Sequence, residues 1–432
     1  MSLYKKLLSS SILSVLDQGL LSAMNFFIGI LLMKLVSKED YGLYGQLYAG
    51  ALLVGLVVDS WIAGPLTTVA STVSDMARQR LLKIYWYKQV FWTALLAALC
   101  FLVVRYVPAA THFYTTSIAL AASFAIYVFG NGVREYGRTI GFIQNDLPSI
   151  LKQDFLYAVL TGLGLITLHH FHQIDLSSLF TLVALASLLA SLYGHHLLQH
   201  HATADTTQEN ASINTIDAEH EITIRDHGRW AVLGVIVGWL TNYSYIYLSG
   251  IFLGVAAIAD LNAARLLLMP IPLAVAAWIR VARPITARLM QQADWKGVKW
   301  VTWLSISGAE LMICLYVGGL LLGLPWLEQH FLDAKYASLD PLIILWGIYF
   351  AVNSARTIGT SWLMSGGGFR ALFFLGTTTL MIVYAITSYS LPRWGQQGAL
   401  VALIAVELFE LITVWYYILP RLYRTQATPA AK

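Results

Sequence analysis

The chain has 432 residues, of which 58% are hydrophobic and only 12% charged, and its net charge is +4. A mean hydropathy of +0.65 excludes a soluble domain, because such a domain must keep a polar surface in water. Apolar runs of about 20 residues recur along the chain, and an α-helix of that length crosses the roughly 30 Å hydrocarbon layer of a bilayer. We therefore expect an all-α polytopic membrane protein with no nucleic-acid partner.

The apolar runs, taken in chain order, predict about twelve transmembrane helices. These are expected at 10–34, 41–66, 86–106, 113–132, 150–168, 176–198, 230–252, 257–280, 300–324, 341–363, 369–391 and 396–419. The first run is too long for the apolar part of a signal peptide, and no small-residue cleavage site follows it. It is therefore expected to be the first span.

The first predicted helix, SVLDQGLLSAMNFFIGILLMKLV at 14–36, carries Asp17, Gln18 and Asn25. Asp17 lies about 10 Å from one end of this helix, and Asp59 on the returning helix lies at about the same depth from the same side. Two close carboxylates in a low-dielectric bundle would share a proton or bind a cation. This pair is the predicted ion-coupling site. The alternative is structural, with Asp17 bonded to nearby backbone and Asp59 assisting a Gly-Pro break.

Lys and Arg are distributed unequally over the predicted loops. If the N-terminus is cytoplasmic, most of the 27 Lys and Arg fall on the cytoplasmic side, Arg134 and Arg138 among them. The opposite side has only Lys34, Lys38, Arg105, Lys335 and Arg393. The positive-inside rule then predicts that both termini are cytoplasmic.

One long polar stretch, HATADTTQENASINTIDAEHEITIRDHGRW at 201–230, divides the chain. It is poor in large apolar residues, so we predict a mobile cytoplasmic linker at 201–229. The linker separates an N-terminal six-helix bundle, 1–200, from a C-terminal one, 230–432. An offset that lays Asn25 on Asn242 also lays EDYGLYG on AAIADLN, which indicates a parallel repeat of the kind found in transporters.

Three strings now resemble a known family: DQG followed by NFFIGILLMKLVSKEDYGLYGQLYA, GPLTTVAS at 64–71, and GRWAVLGVIVGWLTNYSYIYLSGIFLGVAAIADLNAARLLLMPI at 228–271. They are similar to the Wzx-type flippases, the polysaccharide branch of the multidrug/oligosaccharidyl-lipid/polysaccharide (MOP) exporter superfamily. The resemblance covers the whole chain in span number and topology and is sharpest in predicted helices 1, 2, 7 and 8.

The resemblance implies a V-shaped pair of six-helix bundles in the bacterial cytoplasmic (inner) membrane that opens alternately to either side. Its implied substrate is an undecaprenyl-pyrophosphate-linked oligosaccharide, moved from the inner to the outer leaflet for O-antigen, capsule or exopolysaccharide synthesis. Its implied protein partners are a polysaccharide polymerase and a chain-length regulator. No cofactor is expected beyond coupling to H⁺ or Na⁺.

Such a substrate needs cations within the membrane to carry its diphosphate, and two arginines fall inside predicted spans. Arg265 lies roughly 12 Å deep, and Arg356 lies at a comparable distance from the other side. A guanidinium stays charged and can hold phosphate oxygens with two parallel bonds, so both are predicted to bind the diphosphate. The alternative is that each pairs with an intramembrane carboxylate.

The remaining polar residues within spans receive weaker assignments. Glu310, Glu407 and Glu410 are further candidates for ion coupling, and at least one of them is expected to be an arginine partner. Asn25 and Asn242 are expected to line the substrate cavity or to hydrogen-bond between helices. The histidine-rich strings at 169–172 and 195–201 lie at helix ends and are not predicted to bind a metal.

Three other functions remain open. An ion-coupled exporter of small molecules, of the multidrug MATE type or of the major facilitator type, would also have twelve spans in two halves. An integral membrane polysaccharide polymerase would need a sizeable loop for sugar chemistry, and the predicted outer loops are all short. We therefore expect a transporter and not an enzyme.

Overall fold

A computed structural model describes residues 3–107, 116–200, 210–330, 332, 334–336, 338–365 and 369–421. Every regular element within these residues is helical, which confirms the all-α prediction. The extreme termini, whose cytoplasmic location is predicted above, lie outside the described residues. So do residues 113–115 at the start of the predicted fourth helix, and residues 201–209 at the start of the predicted linker.

The α-helices are α1 Leu3–Leu35, α2 Lys38–Val58, α3 Gly64–Ala70, α4 Asp75–Tyr106, α5 Ile118–Gln144, α6 Leu147–His170, α7 Leu176–His200, α8 Asn210–Leu253, α9 Val255–Leu267, α10 Pro270–Gln291, α11 Trp295–His330, α12 Asp340–Ser365 and α13 Phe369–Ile412. A π-helical segment, Asp59–Ala63, joins α2 to α3. A second one, Thr413–Ile418, follows α13, and a short 3₁₀ turn covers Ala334–Tyr336.

Among the described helices, nine are long and apolar enough to cross a membrane, and α9 and α10 make a tenth if this pair, bent by 46°, is one span. Two features explain the difference from the predicted twelve. Helix α5 carries Asn131, Arg134, Glu135 and Arg138 in its second half and so is less apolar than the others. The predicted helices 369–391 and 396–419 both lie within α13 and its π-helical extension and are separated by a kink at Gly395, where φ is 56°. Each predicted span thus has a helix at its position.

The described residues form two compact units. Unit 1 contains the chain up to Ile28 and from Gln46 to Ile236, and unit 2 contains Gly29–Gly45 and the chain from Val237 onward. Helices α1, α2 and α8 therefore each contribute one part to each unit. This division differs from the predicted bundles 1–200 and 230–432, in which each of these helices belonged to one half alone.

Residues 210–229, predicted to be mobile, are the first part of α8. Three contacts within unit 1 hold this part of the helix: Ile224 is 1% exposed, Glu221 pairs with Lys88 at 2.7 Å, and Gly228 faces the backbone of Trp61. A Cβ at position 228 would lie 2.8 Å from the carbonyl oxygen of Trp61, so only glycine permits this approach. At 221–229 the polar composition therefore belongs to a helix with one buried edge.

In unit 2 the start of α2 packs closely against α9. A Cβ at Gly42 would overlap the carbonyl of Val255, and one at Gly45 would overlap the side chain of Asn262. The two segments that the sequence offset made equivalent, EDYGLYG and AAIADLN, are thus in direct contact. The glycines of the first allow the approach.

Candidate functional site

A tight helical hairpin in unit 1 sets the geometry of its polar centre. Helix α5 ends at Asn145, whose φ of 57° places it in the left-handed region that Asn tolerates. The next residue, Asp146, begins α6 by accepting a hydrogen bond from the backbone N–H of Ser149 at 3.3 Å. Because the turn is so short, residues at equal distances before and after it face each other. Arg138 and Asp154 are such a pair.

Two arginines and three carboxylates form a connected ion-pair network around this hairpin. Arg134 donates to Asp154 at 2.8 Å and to Glu135 at 2.7 Å. Arg138 donates to Asp17 of α1 at 2.8 Å and to Glu135 at 2.7 Å. Its Nε also lies 2.7 Å from Oδ2 of Asp154. The guanidinium of Arg138 therefore lies between the carboxylates of Asp17 and Asp154.

Most of this network is buried, with exposures of 2% for Asp17, 0% for Asp154, 4% for Arg134 and 9% for Arg138. Burying charges is costly unless they are paired and hydrogen-bonded, and here each guanidinium has more than one carboxylate partner. The carboxylates outnumber the arginines by one. Among the described residues, Oδ1 of Asp17 is buried without a hydrogen-bond partner. The network can therefore accept one proton or one small cation without breaking an existing pair.

Most of this network was not predicted from the sequence, because the predicted fourth helix ended at 132 and Arg134 and Arg138 were expected in a cytoplasmic loop. In the structure both are buried in α5. One signal was present: Arg134 and Arg138 are four residues apart and so lie on one face of a helix. Arg138 and Asp154 each stand eight residues from Asp146, the residue at which the chain turns back.

A cavity of about 370 Å³, lined by both polar and apolar side chains, lies beside the network within unit 1. Gln18, Ser22 and Asn25 line it from α1, and they follow the spacing of residues on one helix face. This answers why a membrane helix contains these groups: Asp17 pairs with Arg138, while Gln18 and Asn25 face a cavity. Asn131 and Glu135 contribute from α5. Asn25, predicted to line a substrate cavity or to hydrogen-bond between helices, is among the residues that line this cavity.

Asp59 also lines this cavity, from the first residue of the π-helical segment. The segment is a consequence of Pro65, which has no N–H to donate to the carbonyl of Trp61. The N–H of Gly64 bonds instead to the carbonyl of Asp59, five residues back. Such π-turns are frequent at functional sites. Asp59 is exposed and has no ion pair with a described residue. Asp17 was predicted to lie next to Asp59, but in the structure it pairs with Arg138.

Unit 2 contains a second buried cluster, built from α11, α12 and α13. Nε of Arg356 donates to Glu407 at 2.5 Å and lies 3.1 Å from Glu410. Asn353 donates to Glu407 at 3.1 Å, and Ser354 donates to Glu310 at 3.2 Å. Arg356, predicted to bind diphosphate, thus has two carboxylate partners, which is the alternative arrangement that the sequence analysis left open.

Arg265 has a different environment. It lies in the last turn of α9, where the negative end of the helix dipole favours a cation. Its Nη1 donates to the hydroxyl of Tyr245 at 3.1 Å. Its guanidinium carbon lies 5.3 Å from the ring centre of Tyr243 and 5.5 Å from that of Trp346, within the range of cation–π attraction.

Among the described residues, no carboxylate pairs with Arg265, and its Nε is buried without a hydrogen-bond partner. The bend after α9 is stabilised nearby, since Tyr316 donates to the carbonyl of Leu267 at 2.8 Å. Arg265 is therefore a half-buried cation held by aromatic and hydroxyl groups. Asn242, also predicted to line a substrate cavity, is exposed and donates to the carbonyl of Gly238 at 2.7 Å.

Comparison with known proteins gives a match in structure but none in sequence. No protein-family model and no curated protein matches the chain. The lipid II flippase MurJ, in an inward closed conformation, matches 97% of this chain and 90% of its own at a TM-score of 0.72 and 10% identity. An inward-facing multidrug resistance transporter of the MATE family matches 94% and 96% at a TM-score of 0.70 and 12% identity. A MOP transporter from Pyrococcus furiosus matches 98% and 97% at a TM-score of 0.59 and 16% identity.

This chain has the fold of the MOP-superfamily transporters. The likeness extends over nearly the whole chain and confirms the predicted fold class, a polytopic helical membrane protein resembling MATE transporters and MurJ.

Proposed function

We propose that this protein is a flippase that moves an undecaprenyl-pyrophosphate-linked oligosaccharide from the inner to the outer leaflet of the bacterial cytoplasmic membrane. This is the activity that the resemblance to Wzx-type transporters implies. One observation carries the proposal: Arg265 is a half-buried cation with no carboxylate partner among the described residues. The structural likeness to a lipid II flippase supports it.

A cation without a carboxylate partner inside a membrane protein is costly unless a ligand compensates it. A diphosphate is suited to that role, because a guanidinium can bind two of its oxygens at once. Arg134, Arg138 and Arg356 are already paired with carboxylates, so binding an anion would require them to release a partner. We therefore assign the diphosphate to Arg265 and not to Arg356.

Ion coupling is assigned to the carboxylate-rich clusters. The network of Asp17 with the α5–α6 hairpin has one carboxylate in excess of its arginines, and the cluster around Arg356 contains Glu310, Glu407 and Glu410. Uptake of H⁺ or Na⁺ at either would change the local charge and so bias the conformational equilibrium. Transport would then alternate between inward and outward states and deliver substrate to a polymerase and a chain-length regulator.

A second candidate function is the ion-coupled export of small organic cations. Asp59 favours it, since this carboxylate lines the cavity of unit 1, has no ion pair with a described residue and would attract a positive charge. The likeness to MATE transporters is equally compatible with it. The two functions differ in the role of Arg265. A diphosphate would bind to this cation, whereas a cationic drug would not be stabilised by it.

The deciding experiment is done in the native cell. The gene is deleted, and both undecaprenyl-pyrophosphate-linked oligosaccharide and surface polysaccharide are quantified. We expect the lipid-linked repeat to accumulate and the surface polymer to disappear, with rescue by the wild-type gene. Arg265→Ala should restore transport roughly 10- to 100-fold less well, the range expected when charge-assisted hydrogen bonds are lost.

Arg280→Ala is the matched control, because Arg280 is exposed on the neighbouring α10 and should rescue fully. Arg265→Lys should rescue in part, since lysine keeps the charge but lacks the two-pronged geometry. Unchanged lipid and polymer pools in the deletion strain, together with increased sensitivity to cationic drugs, would favour the exporter.

A further inference from the structure

The cavity of unit 1 differs from the Arg265 site in the chemistry that it offers to a ligand. Its wall on α1 is the stripe of Gln18, Ser22 and Asn25. None of these three side chains hydrogen-bonds to a residue that the structure describes, and both amides are exposed. Side-chain amides and hydroxyls both donate and accept hydrogen bonds, which matches groups that do the same, such as sugar hydroxyls.

Charged groups beside this cavity are occupied or repel anions. The guanidinium of Arg134 contacts Asp154, Glu135 and Oδ1 of Asn131, the last at 3.2 Å. The amide nitrogen of Asn131 is then left to donate to a ligand. Arg138 also lines the wall and is likewise paired with carboxylates. The carboxylate of Asp59 lines the wall without an ion pair among the described residues and disfavours a diphosphate there. Electrostatics therefore favours the neutral part of a lipid-linked sugar over its phosphate part in this cavity.

The volume of the cavity in unit 1 also favours a sugar as its ligand. About 370 Å³ lies at the small end of the range for ligand pockets, which suits a short sugar head and not a polyprenyl chain. Tyr48 adds an aromatic side chain to the lining, and an aromatic face can cover the apolar C–H surface of a sugar ring.

We propose that the cavity of unit 1 is the sugar-binding subsite of the transporter, with Gln18, Ser22, Asn25 and Asn131 bonding to sugar hydroxyls. The inference rests on the proposed flippase function and deepens it, because it assigns the sugars of the substrate to named side chains of unit 1.

The test measures the affinity of purified protein in detergent for two probes: undecaprenyl pyrophosphate, and the lipid-linked oligosaccharide extracted from the deletion strain. Wild type should bind the second more tightly, and the difference measures the contribution of the sugars. The double variant Gln18→Leu/Asn25→Leu should lose about tenfold in affinity for the oligosaccharide, equivalent to two hydrogen bonds. Its affinity for undecaprenyl pyrophosphate should not change.

Phe27→Leu is the matched control, since Phe27 is exposed on the same helix but does not line the cavity and should bind both probes as wild type does. Arg265→Ala should weaken both probes alike. Equal losses for both probes in the Gln18→Leu/Asn25→Leu variant, or no loss for either, would overturn the subsite and leave the flippase intact. So would equal affinity of wild type for both probes.

Two outcomes separate this inference from the proposed function. If wild type binds neither probe, the flippase and its sugar subsite fail together. If wild type instead binds tetraphenylphosphonium and the Gln18→Leu/Asn25→Leu variant does not, the cavity is a site for organic cations. Melting temperatures of the variants verify folding, and we expect little change because both side chains are exposed.

Discussion

The intramembrane arginines of this protein differ in their partners. Arg138 lies between Asp17 and Asp154, and Arg356 lies between Glu407 and Glu410. Arg265 contacts a hydroxyl, two aromatic rings and a helix C-terminus, and it pairs with no carboxylate among the described residues. Removing one member of a buried ion pair leaves an uncompensated charge, whereas removing an unpaired cation relieves one. The same substitution should therefore have different effects at the two kinds of position.

We predict that Arg138→Leu lowers the free energy of unfolding by roughly 3–5 kcal/mol, because Asp17 and Asp154 lose their shared partner. Adding Asp17→Asn should recover part of this loss. The control is Arg265→Leu, which leaves no carboxylate unpaired and should be far less destabilising. Reversible unfolding in mixed micelles measures all three variants, and equal destabilisation by Arg138→Leu and Arg265→Leu would contradict the argument.

The helical elements contain two π-helical segments, each followed closely by a proline, Pro65 in one case and Pro420 in the other. The first segment brings Asp59 to the cavity wall. It also packs against α8, where Gly228 meets Trp61. The Gly-Pro sequence at 64–65 was predicted to break the helix. In the structure a π-turn precedes Pro65, widens the helix by one residue and orients the carboxylate of Asp59.

We predict that Pro65→Ala allows a regular α-helix through 59–63 and turns Asp59 by up to roughly a third of a turn, since one residue corresponds to 100°. The measurement is the labelling rate of Asp59→Cys by a water-soluble maleimide, with Cys100 and Cys314 replaced by alanine. Labelling should fall several-fold when Pro65→Ala is added. Pro148→Ala is the control, because Pro148 occupies the first turn of α6, where no N–H is required. A fall in labelling with both proline variants would argue against the π-turn as the cause.

At the scale of the whole molecule, the charge asymmetry predicted between the loops has to be revised at two positions. Arg134 and Arg138 belong to a buried helix, yet the remaining basic residues still fall predominantly on one side of the predicted spans. Topology depends on short loops close to the spans, so moving two arginines into a helix leaves the predicted orientation unchanged.

We predict that alkaline phosphatase fused after Gln173, in the turn between α6 and α7, is active, because the predicted orientation puts that turn outside the cytoplasm. The same enzyme fused after Asn145, between α5 and α6, should be inactive. A green fluorescent protein fused at the same two positions should give the reverse pattern and serves as the control. Activity of phosphatase at Asn145 would overturn the orientation and, with it, the cytoplasmic location of the termini.

The sequence by itself determined the fold class and the positions of the spans. Hydrocarbon demands long apolar helices whose backbone groups are satisfied internally, so hydropathy alone locates them. It also identified Asp17, Asn25, Asp59, Arg265 and Arg356 as polar groups that need an explanation, because such groups are costly in membranes. Within the predicted linker, residues 221–229 belong to α8, and the buried edge formed by Ile224 and Gly228 leaves little trace in composition.

Only the tertiary structure decided which of these polar groups pair with one another. Asp17 and Arg138 are far apart in sequence and meet because α1 packs near the α5–α6 hairpin. Arg265 and Arg356 look alike in sequence, but Arg356 meets two glutamates and Arg265 meets none that the structure describes. Ion pairing depends on distances of a few ångströms across helices. When a helix is apolar on most sides, its sequence does not show which face contacts which neighbouring helix.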